Sequence, residues 1–162
     1  MKKYKIGLVI GRFQPFHKGH LHLLKESLNI ADKIIIGIGT ANRCDQDNPW
    51  TIEERRLMLE KVVKEEKIEN RIIKIVDVND YLNDDERWYR ASQVETDSVD
   101  IVIGNNDHVR RIYDEHHIQT TGAKLFKRYL LEGYKIRKLI RAGKQWKNRV
   151  PEYLIESIRT SI

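Results

Sequence analysis

Apolar positions along this chain follow two rhythms, short unbroken runs and stretches that repeat every three or four residues. Tyr4 to Ile10, Lys33 to Gly39, Arg71 to Val78 and Val99 to Gly104 are the runs, and they predict four strands. The second is nearly all apolar, as a parallel sheet covered on both faces requires. Between the first two, Leu21, Leu24 and Leu28 share a helical face, with Glu26 and Asn29 turned away, and the helix is expected to end near Asn29. Thr51-Ile52-Glu53-Glu54 is a capping box. It opens a longer helix with Leu57, Met58, Val62 and Val63 as its buried stripe, and with two arginines, Arg55 and Arg56, that a core does not need. An acidic loop from Asn79 to Glu86 precedes a short helix from Arg87 to Val94, and another helix runs from Asn105-Asn106-Asp107 to about His116. Ile118 to Thr121 reads as a short strand. A helix from Gly133 or Tyr134 to Ala142 is stopped by Gly143, and a last one is expected from Pro151, a favoured first-turn residue, towards Ile162. The repeated strand–helix order predicts one α/β domain over 1–162, a Rossmann-like doubly wound parallel sheet without linker or internal repeat.

Composition narrows this picture. A chain of 162 residues buries a sufficient core without a metal or disulfide staple. The single cysteine, Cys44, excludes an internal disulfide and suits a reducing compartment. The apolar stretch before Arg12 is too short for a signal peptide or a membrane span, so a cytoplasmic protein with no membrane partner is expected. Thirty Lys and Arg against 24 Asp and Glu give a net charge of +6, which suits nucleic acid, lipid headgroups or a phosphorylated small molecule alike. Its placement is more selective. Residues 124–149 carry ten Lys and Arg against Glu132 alone, whereas 77–115 carry eleven Asp and Glu against four arginines. A nucleic-acid coat has little use for that acidic stretch, and no RNA-recognition or zinc-knuckle pattern is present, so nucleic acid is not the expected partner.

Ligand sites in open parallel sheets lie beyond the carboxyl ends of the strands. There the chain places polar or glycine-rich loops: Gly11 to His20, Gly39 to Arg43, Asp77 to Asp80, and Gly104 to Asp107. His17 and His20, three apart, share one side of a helical first turn. Two imidazoles there can hydrogen-bond phosphate oxygens, balance charge on a reacting phosphoryl group, bind a metal, or only cap the helix. A pair is too few ligands for structural zinc. His22 should point elsewhere. The loop is neither a Walker A sequence nor a dinucleotide fingerprint, so phosphate binding here needs another device. Cys44 has no base partner nearby, and His116-His117 read as solvated or dipole-compensating residues at a helix end.

The run Gly11-Arg12-Phe13-Gln14-Pro15-Phe16-His17-Lys18-Gly19-His20 resembles the signature of the nucleotidylyltransferase superfamily, in the form typical of archaeal nicotinamide mononucleotide (NMN) adenylyltransferases. Gly37 to Ala41, then Asn48-Pro49-Trp50-Thr51 and Glu54-Arg55, resemble that family's second loop and following helix. Asp77-Val78-Asn79-Asp80 with Trp88 resembles its nicotinamide segment, and Gly104-Asn105-Asn106 with Val109 and Arg111 its segment after the fourth strand. Ile136-Arg137 with Trp146, Val150 and Pro151 resembles its carboxyl-terminal signature, so the likeness spans about residues 4–151.

The resemblance implies transfer of AMP from ATP to NMN, giving NAD and pyrophosphate, with Mg²⁺ held mainly by the ATP phosphates and no protein metal site. It also implies a homo-oligomer, a hexamer being common among archaeal members. Carried over residue by residue, it gives His17, His20, Arg12 and Arg137 catalytic roles on phosphate. Gly11, Phe13, Gly19, Gly104, Asn105, Asn106, Gly133, Lys135 and Ile136 would contact ATP. Gly39, Asp77, Asp80 and Trp88 would contact the acceptor, Trp88 by stacking on nicotinamide. Residues 124–162 would form a basic, mainly helical part completing the ATP site.

Plainer readings stand beside these roles: Trp88 as a core aromatic, Asp77 as a loop cap, Asn105 and Asn106 as turn residues, Arg43 as solvent-facing. One segment departs from the family. Glu132-Gly133-Tyr134 stands where a small hydroxyl residue, glycine and threonine are usual, and a carboxylate there opposes triphosphate unless it points outward or meets Mg²⁺ or Lys135. The first loop equally fits transfer of AMP or CMP to phosphopantetheine, FMN or an alcohol phosphate. Glu132, Tyr134 and the basic tail also suit a non-catalytic nucleotide- or nucleic-acid-binding module.

Overall fold

The computed structural model describes residues 4–162. The chain runs β1 (Tyr4–Gly11), α1 (Lys18–Ile30), β2 (Ala31–Ile38), α2 (Ile52–Glu65), β3 (Ile72–Asp77), α3 (Asp85–Thr96), β4 (Ile101–Ile103), α4 (Asp107–Glu115), β5 (Gln119–Thr121) and α5 (Gly133–Arg141), with 3-10 turns at Glu69–Arg71, Lys147–Arg149 and Glu152–Ser157. All strand pairs are parallel, in the order β3-β2-β1-β4-β5. The chain builds outward from β1 through β2 to β3, then returns to add β4 and β5 on the other side. That reversal places the crevice between the carboxyl ends of β1 and β4, the position at which such sheets bind ligands.

Strand residues alternate between two cores, which explains the unbroken apolar runs. Val9, Ile34 and Ile36 face Leu24, Leu28, Met58, Val62, Ile136, Ile140 and Leu154 on one side. Leu8, Ile35, Val76 and Val102 face Tyr113 and the half-buried Trp88 and Tyr89 on the other.

Three expectations change. Leu57 is 64% exposed, and the buried stripe of α2 is Met58, Leu59, Val62 and Val63 together with Arg55. At 100° per residue, Leu57 lies off the face that 55, 58, 59 and 62 share. No α-helix follows Pro151. The chain forms the 3-10 turn Glu152–Ser157, with Leu154 and Ile158 buried in the α1–α2 core and the Arg159 carbonyl accepting from Trp50 Nε1 at 3.1 Å. Finally, α3 starts inside the acidic loop, because the Asp84 side chain accepts from the Arg87 amide at 2.9 Å and caps it. Among the described residues no helix is long and apolar enough to cross a membrane.

Candidate active site

The first loop leaves β1 at Gly11 and is packed from within. Phe13, at φ 53°, buries its ring against Phe16 and His20, at centroid distances of 5.8 and 4.9 Å. The Gln14 side chain donates to the Trp50 carbonyl at 2.9 Å and accepts from the Trp50 amide at 3.0 Å. His17 then caps α1: its Nδ1 accepts from the amides of Gly19 at 3.1 Å and His20 at 3.3 Å. His20 Nδ1 in turn accepts from the His17 amide at 3.3 Å, so the two imidazoles make a reciprocal capping box. Their rings stack at 3.7 Å. Gly19 permits this, since a Cβ there would lie 2.9 Å from the His17 ring.

This geometry settles the protonation of both rings. With Nδ1 an acceptor, the neutral ring carries its proton on Nε2 and keeps that N–H as a donor. Burial pushes the His17 pKa down to about 4, with the Glu132 carboxylate pulling weakly the other way. His20, half-buried among Phe13, Phe16 and His17, is held well below the usual histidine range by its dry surroundings, then by His17 and Arg12. At neutral pH both are uncharged donors. Capping and phosphate binding are therefore compatible, because they use different nitrogens.

The amino terminus of α5 docks against the first loop. Arg137 is 3% exposed and donates from Nη1 to the Gln14 carbonyl at 2.7 Å. A Cβ on Gly133 would lie 2.9 Å from that carbonyl oxygen, so only glycine allows the approach. Ile136 is wholly buried in the core, as is the Phe13 ring, which leaves both only main-chain atoms for a ligand. Glu132 is ion-paired with Lys135 at 2.8 Å and Arg128 at 3.1 Å, and these cations hold its carboxyl below the usual range. The departure seen in the sequence thus comes with its own counter-charges. Burial, and then the nearby Arg12 cation, lower the Arg137 pKa.

Beyond Arg12 a cleft of about 700 Å³ opens. Gly11, Arg12, Gly39, Asp80, Trp88 and Asn106 line it, together with Arg43, Tyr81, Asp85 and His108. Trp88 is half-buried, its ring edge-on to Tyr113 at 6.0 Å, so it serves the core and walls the cleft at once. Asn106 caps α4 by accepting from the amides of His108 and Val109. Arg43 pairs with Asp45 at 2.8 Å as well as facing the cleft.

Other expected residues lie elsewhere. The Asp77 carboxylate is held by Arg56 of α2, away from the cleft lining. Asn105 Oδ1 accepts from the Ala123 amide at 3.0 Å, and the Gly104 amide donates to the Thr121 carbonyl at 3.0 Å. Both therefore tie β4 to the β5 exit. His17, Gly19, His20, Gly133, Lys135 and Arg137 do not line that cleft, whereas Arg12 does and lies close enough to His20 and Arg137 for its charge to lower the pKa of both. His116 bridges Glu86 at 3.0 Å and the Ile112 carbonyl at 2.8 Å, its ring stacked on Tyr89. No cluster of three or more His, Cys, Asp or Glu that could hold a metal occurs among the described residues.

Arg55 is one of the two α2 arginines that a core does not need. It is 0% exposed. Nη1 donates to the carbonyls of Arg12 at 3.0 Å and Gly39 at 2.8 Å, Nη2 to Thr40 at 3.1 Å, and Nε to Thr51 at 3.3 Å. The available signal was an arginine in phase with Met58, Leu59 and Val62 on the buried face. Asn48, 1% exposed, is a second residue of this kind: it accepts from Arg12 Nη1 at 3.4 Å and donates to Asp45 Oδ1 at 2.9 Å.

Residues 8–157 match the cytidylyltransferase-like family. Over 159 residues the chain is 39% identical to the nicotinamide-nucleotide adenylyltransferase of Thermoplasma acidophilum, covering 97% of this chain and 87% of that protein. It is 36% identical over 152 residues to the nicotinamide-nucleotide adenylyltransferase of Methanococcus aeolicus, covering 93% and 86%. Among solved structures, the bifunctional NMN adenylyltransferase/ADP ribose pyrophosphatase from Francisella tularensis aligns with a TM-score of 0.77 at 25% identity, over 91% of this chain and 45% of that one.

Proposed function

The chain belongs to the cytidylyltransferase-like family, and from that premise we propose that it is an enzyme transferring AMP from ATP to NMN, with NAD and pyrophosphate as products. The observation that carries this reading is the join at Arg12 between a tryptophan-walled cleft and a pair of neutral imidazole donors. A nucleotide monophosphate in the cleft would present its phosphate to a triphosphate bound over the imidazoles and α5.

The reaction is displacement at the α-phosphorus by the NMN phosphate and needs no protein nucleophile, so the protein's part is alignment and charge stabilisation. His17 and His20 donate through Nε2 to phosphate oxygens in dry surroundings, where each hydrogen bond is strong. As negative charge accumulates there, it raises the affinity of both rings for a proton. Arg12 and Arg137 grip phosphates through their planar donor forks, and the free amides at the start of α5 add to the anion site. Lys135 is released from Glu132 towards the triphosphate. A Mg²⁺ ion bound with ATP would be held mainly by the phosphate oxygens and would neutralise and orient the triphosphate. Trp88 stacks on the nicotinamide ring, flanked by Asp80 and Gly39. Asp77, engaged by Arg56, has no part in this assignment. A cytoplasmic homo-oligomer belongs to the same reading.

The test is pyrophosphate release from ATP and Mg²⁺ with a panel of acceptors: NMN, its acid analogue, phosphopantetheine, FMN and glycerol phosphate. Turnover is expected with NMN. Turnover confined to the last three acceptors overturns the assignment.

A further inference from the structure

We propose that Arg55 is a positioning residue for this reaction, locking the first and second ligand loops in the relative placement that in-line transfer needs; the inference rests on the function proposed above. Its basis is where the sheet stops. The register pairs Gly11 with Ile38, and the Gly39 amide donates to the Gly11 carbonyl at 2.8 Å. Past that bond the two loops diverge, and the carbonyls of Arg12, Gly39 and Thr40 have no strand to pair with. Buried carbonyls require donors. One guanidinium reaches all three, the Thr40 carbonyl also accepting from the Arg43 amide at 3.3 Å, and its planar fork spans the gap between the loops.

The backbone at this point is not one the loops would choose unaided. Phe13 and Thr40 both adopt φ 53°, a left-handed conformation unfavourable for an aromatic and a β-branched residue. Thr40 is itself a partner of Arg55, and Phe13 directly follows another, Arg12. The carbonyl–guanidinium bonds therefore hold strained residues in place on both loops. What they fix is the main chain of Arg12, at the join between the cleft and the imidazole pair, relative to Gly39 and Thr40 on the cleft wall. Arg55 itself, 0% exposed, touches no ligand. Its influence passes through Arg12 and the second loop.

The experiment compares Arg55→Met, Arg55→Lys, Arg12→Ala and the Arg12→Ala/Arg55→Met double variant, with turnover expressed per folded molecule. Arg55→Met is expected to lower kcat by about 100-fold while the KM values stay within about three-fold, because misplacement of around an ångström is that costly. Arg12→Ala should then cost about ten-fold less in the Arg55→Met background than in the wild type, since the two act as a unit. Independent, multiplicative losses overturn the proposal. So does an Arg55→Lys variant with wild-type kcat, because it would trace the effect to buried charge rather than to the forked bonds. Should Arg55→Met fail to fold, ligand-free Arg55→Lys gives a readout that does not depend on activity. The amide resonances of Arg12 to Phe13 and of Gly39 to Ala41 should shift together, and their remaining at wild-type positions refutes the tie. That arm stands even if the wild type fails to use NMN, a result that would count against the proposed function alone.

Discussion

At the imidazole end of the site nearly every group has a partner before any ligand arrives. His17 is 6% exposed and caps α1, His20 closes the same capping box, and Arg137 holds the Gln14 carbonyl. At the tryptophan end the walls are half-open. Their ion pairs, Arg43 with Asp45 and Asp85 with Arg111, have both partners more than a third exposed, where such pairs contribute only about 0–1 kcal/mol. The difference matches the two tasks proposed for these ends. Charge stabilisation during transfer gains from donors held in a dry, fixed geometry, whereas acceptor binding needs a stacking face and a rim that water can enter and leave.

Three measurements sharpen or break that contrast. The largest effect is expected from His20→Ala: a fall in kcat of about 10²–10³-fold with the KM for NMN little changed, read from steady-state kinetics. Equal losses in kcat and in acceptor binding would mean that the two ends do not divide the work.

The next is a pH effect confined to the imidazole end. The His17 pKa is about 4 in the folded protein against 6.5 for an unperturbed histidine, so between those values the unfolded chain binds the proton more tightly. The resulting destabilisation is absent above pH 6.5, grows as the pH falls towards 4, and levels off below, reaching about 3 kcal/mol at most. His20 shifts in the same direction. Melting temperatures recorded from pH 7 to 4 should therefore fall, and His17→Asn, which keeps a cap acceptor, should flatten the slope. An unchanged slope in that variant would move the origin of the acid sensitivity elsewhere.

The smallest effect belongs to the tryptophan end. Trp88→Ala should raise the KM for NMN by about five- to fifty-fold, the worth of one stacked ring, and leave the KM for ATP alone. Asp77→Asn is the matched control and should change either KM by less than about two-fold, since an exposed ion pair contributes little. A larger response to Asp77→Asn would put that carboxylate back into acceptor binding.

Much of this protein was open to reading from its residues because the signals involved are short-range. The apolar runs marked the first four strands. The Thr51–Glu54 box forms as expected, with Thr51 Oγ1 accepting from the Glu54 amide at 3.2 Å and Glu54 Oε2 from the Thr51 amide at 2.8 Å. The loop from Gly11 to His20 stood out as a candidate site, and its two histidines, three apart, form the reciprocal cap of α1 that their spacing allows. A helical stripe is less sharply defined by spacing alone, and Leu57 lies outside the buried face of α2.

What the sequence determined by itself, then, is the alternation of strands and helices, the parallel sheet and the loop to which the proposed chemistry is assigned; each depends on residues within a turn or a strand of one another. The tertiary structure alone decided that Arg56 of α2 takes Asp77, why burial keeps both imidazoles uncharged, and what Arg55 does. Those outcomes join segments far apart in the chain, such as Arg137 with Gln14 across 123 positions and Arg55 with Arg12 across 43. Carbonyls at the end of a sheet acquire donors, and imidazoles under a returning helix their dryness, only once the chain has folded back on itself, and no local pattern encodes that return.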